Sequence, residues 1–93
     1  MIVGVLRAEL SLGGVRSLKD KRRIIQSLLD RARRQFRVAA AEVEAQDSWR
    51  RAVLGFACVS SEGAHASQIL ARVTAMIERE GDVTLLDASS ELL

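Results

Sequence analysis

The chain has 93 residues, enough for one domain and too few for two. Hydrophobic residues make up 48%, which argues against disorder; the aromatics are only Phe36, Phe56 and Trp49, few for a protein that stacks single-stranded bases, and Cys58 is the sole cysteine, which excludes an internal disulfide and a cysteine-based metal centre. The net charge of +2 hides a segregation: residues 16–37 hold nine of the fourteen basic residues and only two acids, Asp20 and Asp30, so that this segment is +7 and the remainder −5.

The first predicted element is a strand over residues 2–12. Ile2, Gly4, Leu6, Ala8, Leu10 and Leu12 share one parity, and Val3, Val5, Arg7, Glu9 and Ser11 the other. This is the period-two alternation of a strand with one apolar face. The apolar run at residues 2–6 is short and broken by Arg7 and Glu9, so neither a signal peptide nor a membrane span is expected, and the expected compartment is the cytoplasm. Gly13-Gly14 ends the strand as a turn. Ser17 then has the form of a helix N-cap, with Asp20 at N3 as its capping-box partner. Leu18, Ile25, Leu28, Leu29, Ala32 and Phe36 recur at spacings of three and four, which predicts an amphipathic helix over about residues 18–36. Lys19, Arg23, Gln26, Asp30, Arg33 and Arg37 fall on a stripe away from that face.

A second strand is expected over residues 38–45, with Ala39, Ala41 and Val43 on one face and Glu42 and Glu44 on the other; residues 46–48 read as a polar turn. Residues 51–60 are apolar on both parities, as in a strand central to its sheet. Ser60 or Ser61 can cap a second helix whose buried stripe is Ala66, Ile69, Leu70, Val73 and Ile77, with Gly81 placed for its C′ position. Residues 83–92 are the fourth strand, with Leu86, Ala88 and Leu92 of one parity. Two right-handed β-α-β crossovers and one hairpin give an α+β, ferredoxin-like βαββαβ domain spanning residues 1–93. It has a four-stranded antiparallel sheet in the order 4-1-3-2 and both helices on one face. The open face would then carry Val3, Val5, Val53, Gly55, Ala57 and Val59 at its centre, more apolar than a monomer needs.

The stretches GVLRAEL at 4–10, RSLKDKRR at 16–23, AEVEAQDSWRRAVLGFACVSSEGAH at 41–65 and the terminal LLDASSELL resemble the bacterial YlxP-like family, the domain of unknown function 503. The resemblance covers nearly the whole chain and implies the same ferredoxin-like fold. Genes of that family often lie beside translation and ribosome-maturation factors, so it also implies RNA or ribosomes as partners; it implies no catalytic residue.

Arg16, Lys19, Lys21, Arg22, Arg23, Arg33 and Arg37 are the candidate RNA-phosphate contacts. Cations in the first turns of a helix oppose its macrodipole by about 0.3–1 kcal/mol each, a placement easier to understand beside an anion. The competing readings are an ordinary solvated helix face, partly neutralised by Asp20 and Asp30, and a protein partner; Lys21 and Arg22 are both expected to keep their charged ends in water. Trp49, with Arg50 and Arg51, reads either as a ring covering the end of the core or as a partner anchor. Val3, Val5, Val53, Ala57 and Val59 are the candidate face of a homodimer.

Enzymatic readings are poorly supplied. Gly13-Gly14-Val15-Arg16 does not match the Walker A spacing, and the loop arginine with asparagine of acylphosphatases cannot be built from a chain that lacks asparagine. His65 reads as structural near a helix start, Cys58 as a small core residue, and Glu42 with Glu44 as a solvated strand face rather than a metal pair. The expected function is that of a non-enzymatic accessory protein binding structured RNA or the ribosome through the basic helix, with no cofactor, metal or membrane partner. The alternatives are a dimeric protein-interaction module using the open sheet face and, more remotely, a regulatory domain for a small molecule.

Overall fold

A computed structural model of the chain describes residues 1–93. The elements run β1 (Ile2–Ser11), α1 (Leu18–Phe36), β2 (Ala39–Glu44), β3 (Arg51–Ser60), α2 (Gly63–Glu78) and β4 (Thr84–Leu92). The strands form one antiparallel sheet in the order β2-β3-β1-β4, the expected order read from the other edge, with both helices on one face. β1 and β3 pair along their whole length, from Ile2 opposite Ser60 to Ser11 opposite Arg51.

The core lies between this sheet and the helices. β1 contributes Leu6, Ala8 and Leu10, β3 Leu54, Phe56 and Cys58, α1 Ile25, Leu28, Leu29 and Ala32, and α2 Ala66, Leu70, Val73 and Ile77. These are the period-two and period-3.6 stripes visible in the chain, turned toward one another. α2 approaches β1 closely at Gly4, where a Cβ would stand 3.1 Å from Leu70 Cδ1 and 3.2 Å from Cys58 Sγ. Glycine is the residue that permits that approach.

The start of α1 is as expected. Ser17 has an extended backbone and its Oγ accepts from the Asp20 N–H at 3.1 Å. The helix ends with Arg37 in the left-handed region (φ 54°), its N–H donating to the Arg33 carbonyl. α2 departs from expectation at both ends. Its N-cap is Glu62, and Ser60 Oγ accepts from the Glu62 N–H at 3.1 Å, forming a turn ahead of the helix rather than a cap. At the other end Arg79 is right-handed and Gly81 takes no positive φ, so the expected glycine cap is not used.

Two register shifts overturn parity expectations. Between Glu42 and Glu44 the β2–β3 pairing slips by one, and the two carboxylates leave their shared face. Glu42 meets Lys21 on the helix side, whereas Glu44 meets Arg7 on the open side. Between Glu9 and Leu10 the β1–β4 pairing slips likewise: Glu9 stands opposite Asp87 and Leu10 opposite Leu85. Leu86, of one parity with Ala88 and Leu92, is exposed, as they are, and Leu85, of the other parity, packs against the core.

Candidate nucleic-acid interface

The antiparallel topology sorts the connections. The β1–α1 loop, the β2–β3 loop and the α2–β4 turn lie at one end of the sheet; the α1–β2 and β3–α2 connections lie at the other. The first end gathers Arg16, the N-terminal turns of α1 with Lys19, Arg22 and Arg23, and the loop carrying Trp49 and Arg50. Arg33, Arg34 and Arg37 occupy the far end of α1, about 27 Å long at 1.5 Å per residue.

Lys21 is not on this surface. It is fully buried (0% exposed), its Nζ donating to the Ala45 carbonyl at 2.7 Å and standing 2.8 Å from Glu42 Oε2. The expectation that Lys21 contacts phosphate and keeps its charge in water is therefore corrected. The physical reason is helical phase: Lys21 precedes Ile25 by four residues and Leu28 by seven, which puts it on the apolar stripe. A buried ammonium needs a carboxylate and a carbonyl; Glu42 of β2 supplies the first and Ala45, just beyond the strand, the second. Lys21 thereby ties α1 to the β2–β3 loop. Ala45, which accepts from it, is left-handed (φ 61°), and its carbonyl also takes the Ser48 N–H at 3.0 Å.

That tie sets the tryptophan loop. Ser48 Oγ accepts from the Arg50 and Arg51 N–H groups at 3.3 and 3.2 Å, and the Arg50 carbonyl accepts from the Leu12 N–H at 2.9 Å. Trp49 stands in this loop next to Arg50, 48% exposed and outside the core cluster. Arg50 is exposed, while Arg51 turns to the open sheet face, 2.7 Å from Glu9, and so does not share the Trp49 surface.

The outer flank of α1 keeps its cations. Arg16, Lys19, Arg22, Arg23, Arg33, Arg34 and Arg37 are exposed, whereas Arg31 is drawn inward to Glu80. Seven cations thus remain on the surface of this segment against Asp20 and Asp30. Arg23 lies 3.9 Å from Asp20, and Arg33 donates to Asp30 at 2.9 Å and to the Ala40 carbonyl at 2.6 Å, so Arg33 also clamps α1 to β2. The hydrogen bond from Arg31 holds the Glu80 carboxyl below the usual carboxylate range, although its partial burial works against this.

The open sheet face is less bare than the sequence suggests. Val53, expected as part of a dimer face, is only 4% exposed. It stands opposite both Glu9 and Glu44, whose partners Arg51 and Arg7 complete four charged side chains around it. Long charged side chains cover apolar surface in this way while their ends stay wet. The Glu44 hydrogen bond raises the Arg7 guanidinium above its ordinary value. Val3, Val5 and Ala57 are half-buried, and Val59 is 64% exposed beside them. No group of three or more His, Cys, Asp and Glu side chains is arranged to hold a metal, and no helix is long and apolar enough to cross a membrane.

Two solved structures share this architecture. "Structural Genomics, protein YJCS" superposes with a TM-score of 0.56 at 11% identity, over 96% of each chain. "De novo designed protein Foldit4" does so with a TM-score of 0.54 at 11% identity, over 100% of this chain and 97% of its own. At such identities they speak for the fold alone. Sequence relationship is carried by the "Uncharacterized protein YlxP" of Bacillus subtilis (strain 168), 34% identical over 77 residues that cover 83% of this chain and 84% of that protein. A family model described as "Protein of unknown function (DUF503)" matches residues 3–90, and on these two grounds the chain belongs to the DUF503 family.

Proposed function

We propose that this protein is a non-enzymatic accessory factor that binds structured RNA or the ribosome, with the outer flank of α1 as its phosphate-contacting surface. The observation that carries the reading is the set of seven exposed cations left on residues 16–37 after Lys21 and Arg31 are withdrawn. Arg16, Lys19, Arg22 and Arg23 stand at the same end of the sheet as Trp49 and Arg50, so a half-exposed aromatic ring shares that end with the basic cluster. Cation–phosphate contact supplies affinity, and the shape of an A-form helix supplies discrimination, with Trp49 as the one aromatic able to anchor a partner.

Binding to ribosomal subunits or to structured RNA should fall by about 0.7–0.9 log units per log unit of salt for each phosphate contacted. With three to five contacts, a rise from about 50 to about 200 mM salt weakens it at least tenfold. Arg22→Glu should lower both affinity and salt slope. Arg79→Glu makes the same charge change beyond the patch, at the end of α2, and should do neither. Equal losses in the two variants would mean bulk charge rather than a surface; no binding at low salt would leave the solvated-face reading.

A second reading, a homodimeric interaction module, is favoured by one observation: Val59 and Leu93 are exposed on either side of Val3, which pairs with the first and exchanges backbone hydrogen bonds with the second. This row and Val5 with Ala57 form the apolar half of the open face. Light scattering at high micromolar concentration tests it: a dimer dissociated by Val5→Glu supports the module, and a monomer overturns it.

A further inference from the structure

A cleft of about 340 Å³ opens between the end of α1 and the start of α2, at the opposite end of the sheet from Trp49. Phe36 and Ile69 give it an apolar wall, Cys58 borders it, and Arg37, His65 and Arg72 supply its polar groups. His65, Ile69 and Arg72 follow one another at spacings of four and three, so one face of α2 presents all three. Among the clefts of this molecule that contain a cation, it alone has no carboxylate in its lining; the others hold Asp20, Asp82, Glu80 or Glu91. Neither Arg37 nor Arg72 takes part in an ion pair.

Ser60 Oγ accepts from the Glu62 N–H and lies 2.9 Å from His65 Nδ1, so Nδ1 is engaged and Nε2 has no hydrogen-bond partner within the protein. When the Ser60 O–H donates to Nδ1, the ring proton is on Nε2, as a donor. The start of α2 also lacks the side-chain cap that α1 has, so its first amides add to the local positive potential. Two unpaired guanidinium groups and an imidazole beside an apolar wall fit an anion that carries a flat apolar group. The cleft continues the row of Arg33, Arg34 and Arg37 along α1.

We propose that this cleft receives one unstacked nucleotide, its phosphate between Arg37 and Arg72 and its base against Phe36 and Ile69. Within the RNA-binding reading, on which its biological role rests, the nucleotide is a splayed-out residue of the bound RNA, reached after the phosphate backbone has tracked the length of α1. Side-chain stacking and guanidinium contact on unstacked bases are the usual means of reading RNA outside its helices.

The test is titration of the full chain with adenosine 5′-monophosphate, followed by the backbone amide resonances. Saturable shifts at His65, Ile69 and Arg72 are expected, with inorganic phosphate and adenosine each at least about tenfold weaker than the nucleotide. Arg72→Glu should weaken nucleotide binding at least about tenfold with the rest of the amide spectrum intact, because Arg72 is exposed. Arg79→Glu should leave it unchanged. The proposal is overturned if the nucleotide shifts none of these residues, if phosphate binds as tightly as the nucleotide, or if Arg72→Glu has no effect. Structured RNA bound without mononucleotide binding would remove the cleft and leave the helix surface; mononucleotide binding without RNA binding would do the reverse.

Discussion

The inner and outer flanks of α1 draw on the same short basic run and do opposite things with it. Lys21 and Arg22 are consecutive, yet Lys21 is sealed against Glu42 and the Ala45 carbonyl while Arg22 stands in solvent. Ten residues on, Arg31 repeats the inward role toward Glu80, and Arg33 and Arg34 stay outside. A count of charge along the chain therefore overstates the field that a partner meets. The inward cations, with Arg33, hold α1 to β2 and to the α2–β4 turn, and the other outward ones stand on the frame so fixed.

The contrast can be broken most severely at Lys21. Lys21→Ala leaves Glu42, only 16% exposed, without its partner and takes from the Ala45 carbonyl one of its two donors. It should cost about 2–4 kcal/mol in urea unfolding, somewhat below the usual range for opening a buried pair because Glu42 keeps some water. Arg22→Ala should stay within about 0.5 kcal/mol of the parent. Equal effects would erase the distinction between the flanks. Exchanging both partners, Lys21→Met with Glu42→Leu, should recover most of the loss, since no charge is then left buried alone.

Function should follow the reverse order. Arg22→Glu together with Arg23→Glu should reduce affinity for structured RNA about tenfold or more at low salt while the unfolding midpoint scarcely moves. A fall in RNA affinity that simply tracks lost stability would place the effect in the fold and not on the surface.

The helix start offers a smaller test. Ser17→Ala removes the acceptor of the Asp20 N–H and should cost about 1 kcal/mol, with Ser17→Asp restoring most of it. Because the cap orients the first turn, residues 18–21, and Arg22 and Arg23 lie in the second, RNA binding should weaken less than stability does.

The smallest effect concerns acid. Arg31 holds the folded-state Glu80 pKa below its unfolded value, so this pair contributes stability that is fully present above the ordinary carboxylate range, near 4.3. That contribution is lost as pH falls through the lowered folded value. Glu80→Gln should therefore reduce stability at pH 7 by under about 1 kcal/mol and make the remaining acid sensitivity shallower. Unfolding midpoints measured from pH 7 down to about 3 distinguish this from a pH-independent loss of packing.

Much of the architecture was legible because it depends on period. The alternation in residues 2–12, the three-and-four spacing from Leu18 to Phe36 and the two-sided apolar strand at 51–60 each identify an element and its buried face, and right-handed crossovers then leave one sheet order. Ser17 with Asp20 was equally readable, since a cap is a local hydrogen bond between residues three apart. Even Lys21 carried its signal, in its distance of four from Ile25, although its charge concealed the stripe it belongs to.

What only tertiary structure decided are the places where two strands meet out of step and where distant loops converge. The slips at Glu42/Glu44 and Glu9/Leu10 send Glu44 and Leu85 to the face opposite their parity, because an inserted residue reverses every side chain beyond it and no single strand records its neighbour's register. The ion pairs over Val53, the hydrogen bond that ties Leu12 to Arg50 of the tryptophan loop, and the cleft joining Arg37 to Arg72 all link residues far apart in the chain. Composition fixes that such charges must be satisfied somewhere; the packing of helix on sheet chooses which carboxylate or carbonyl satisfies them, and so which cations are left for a partner.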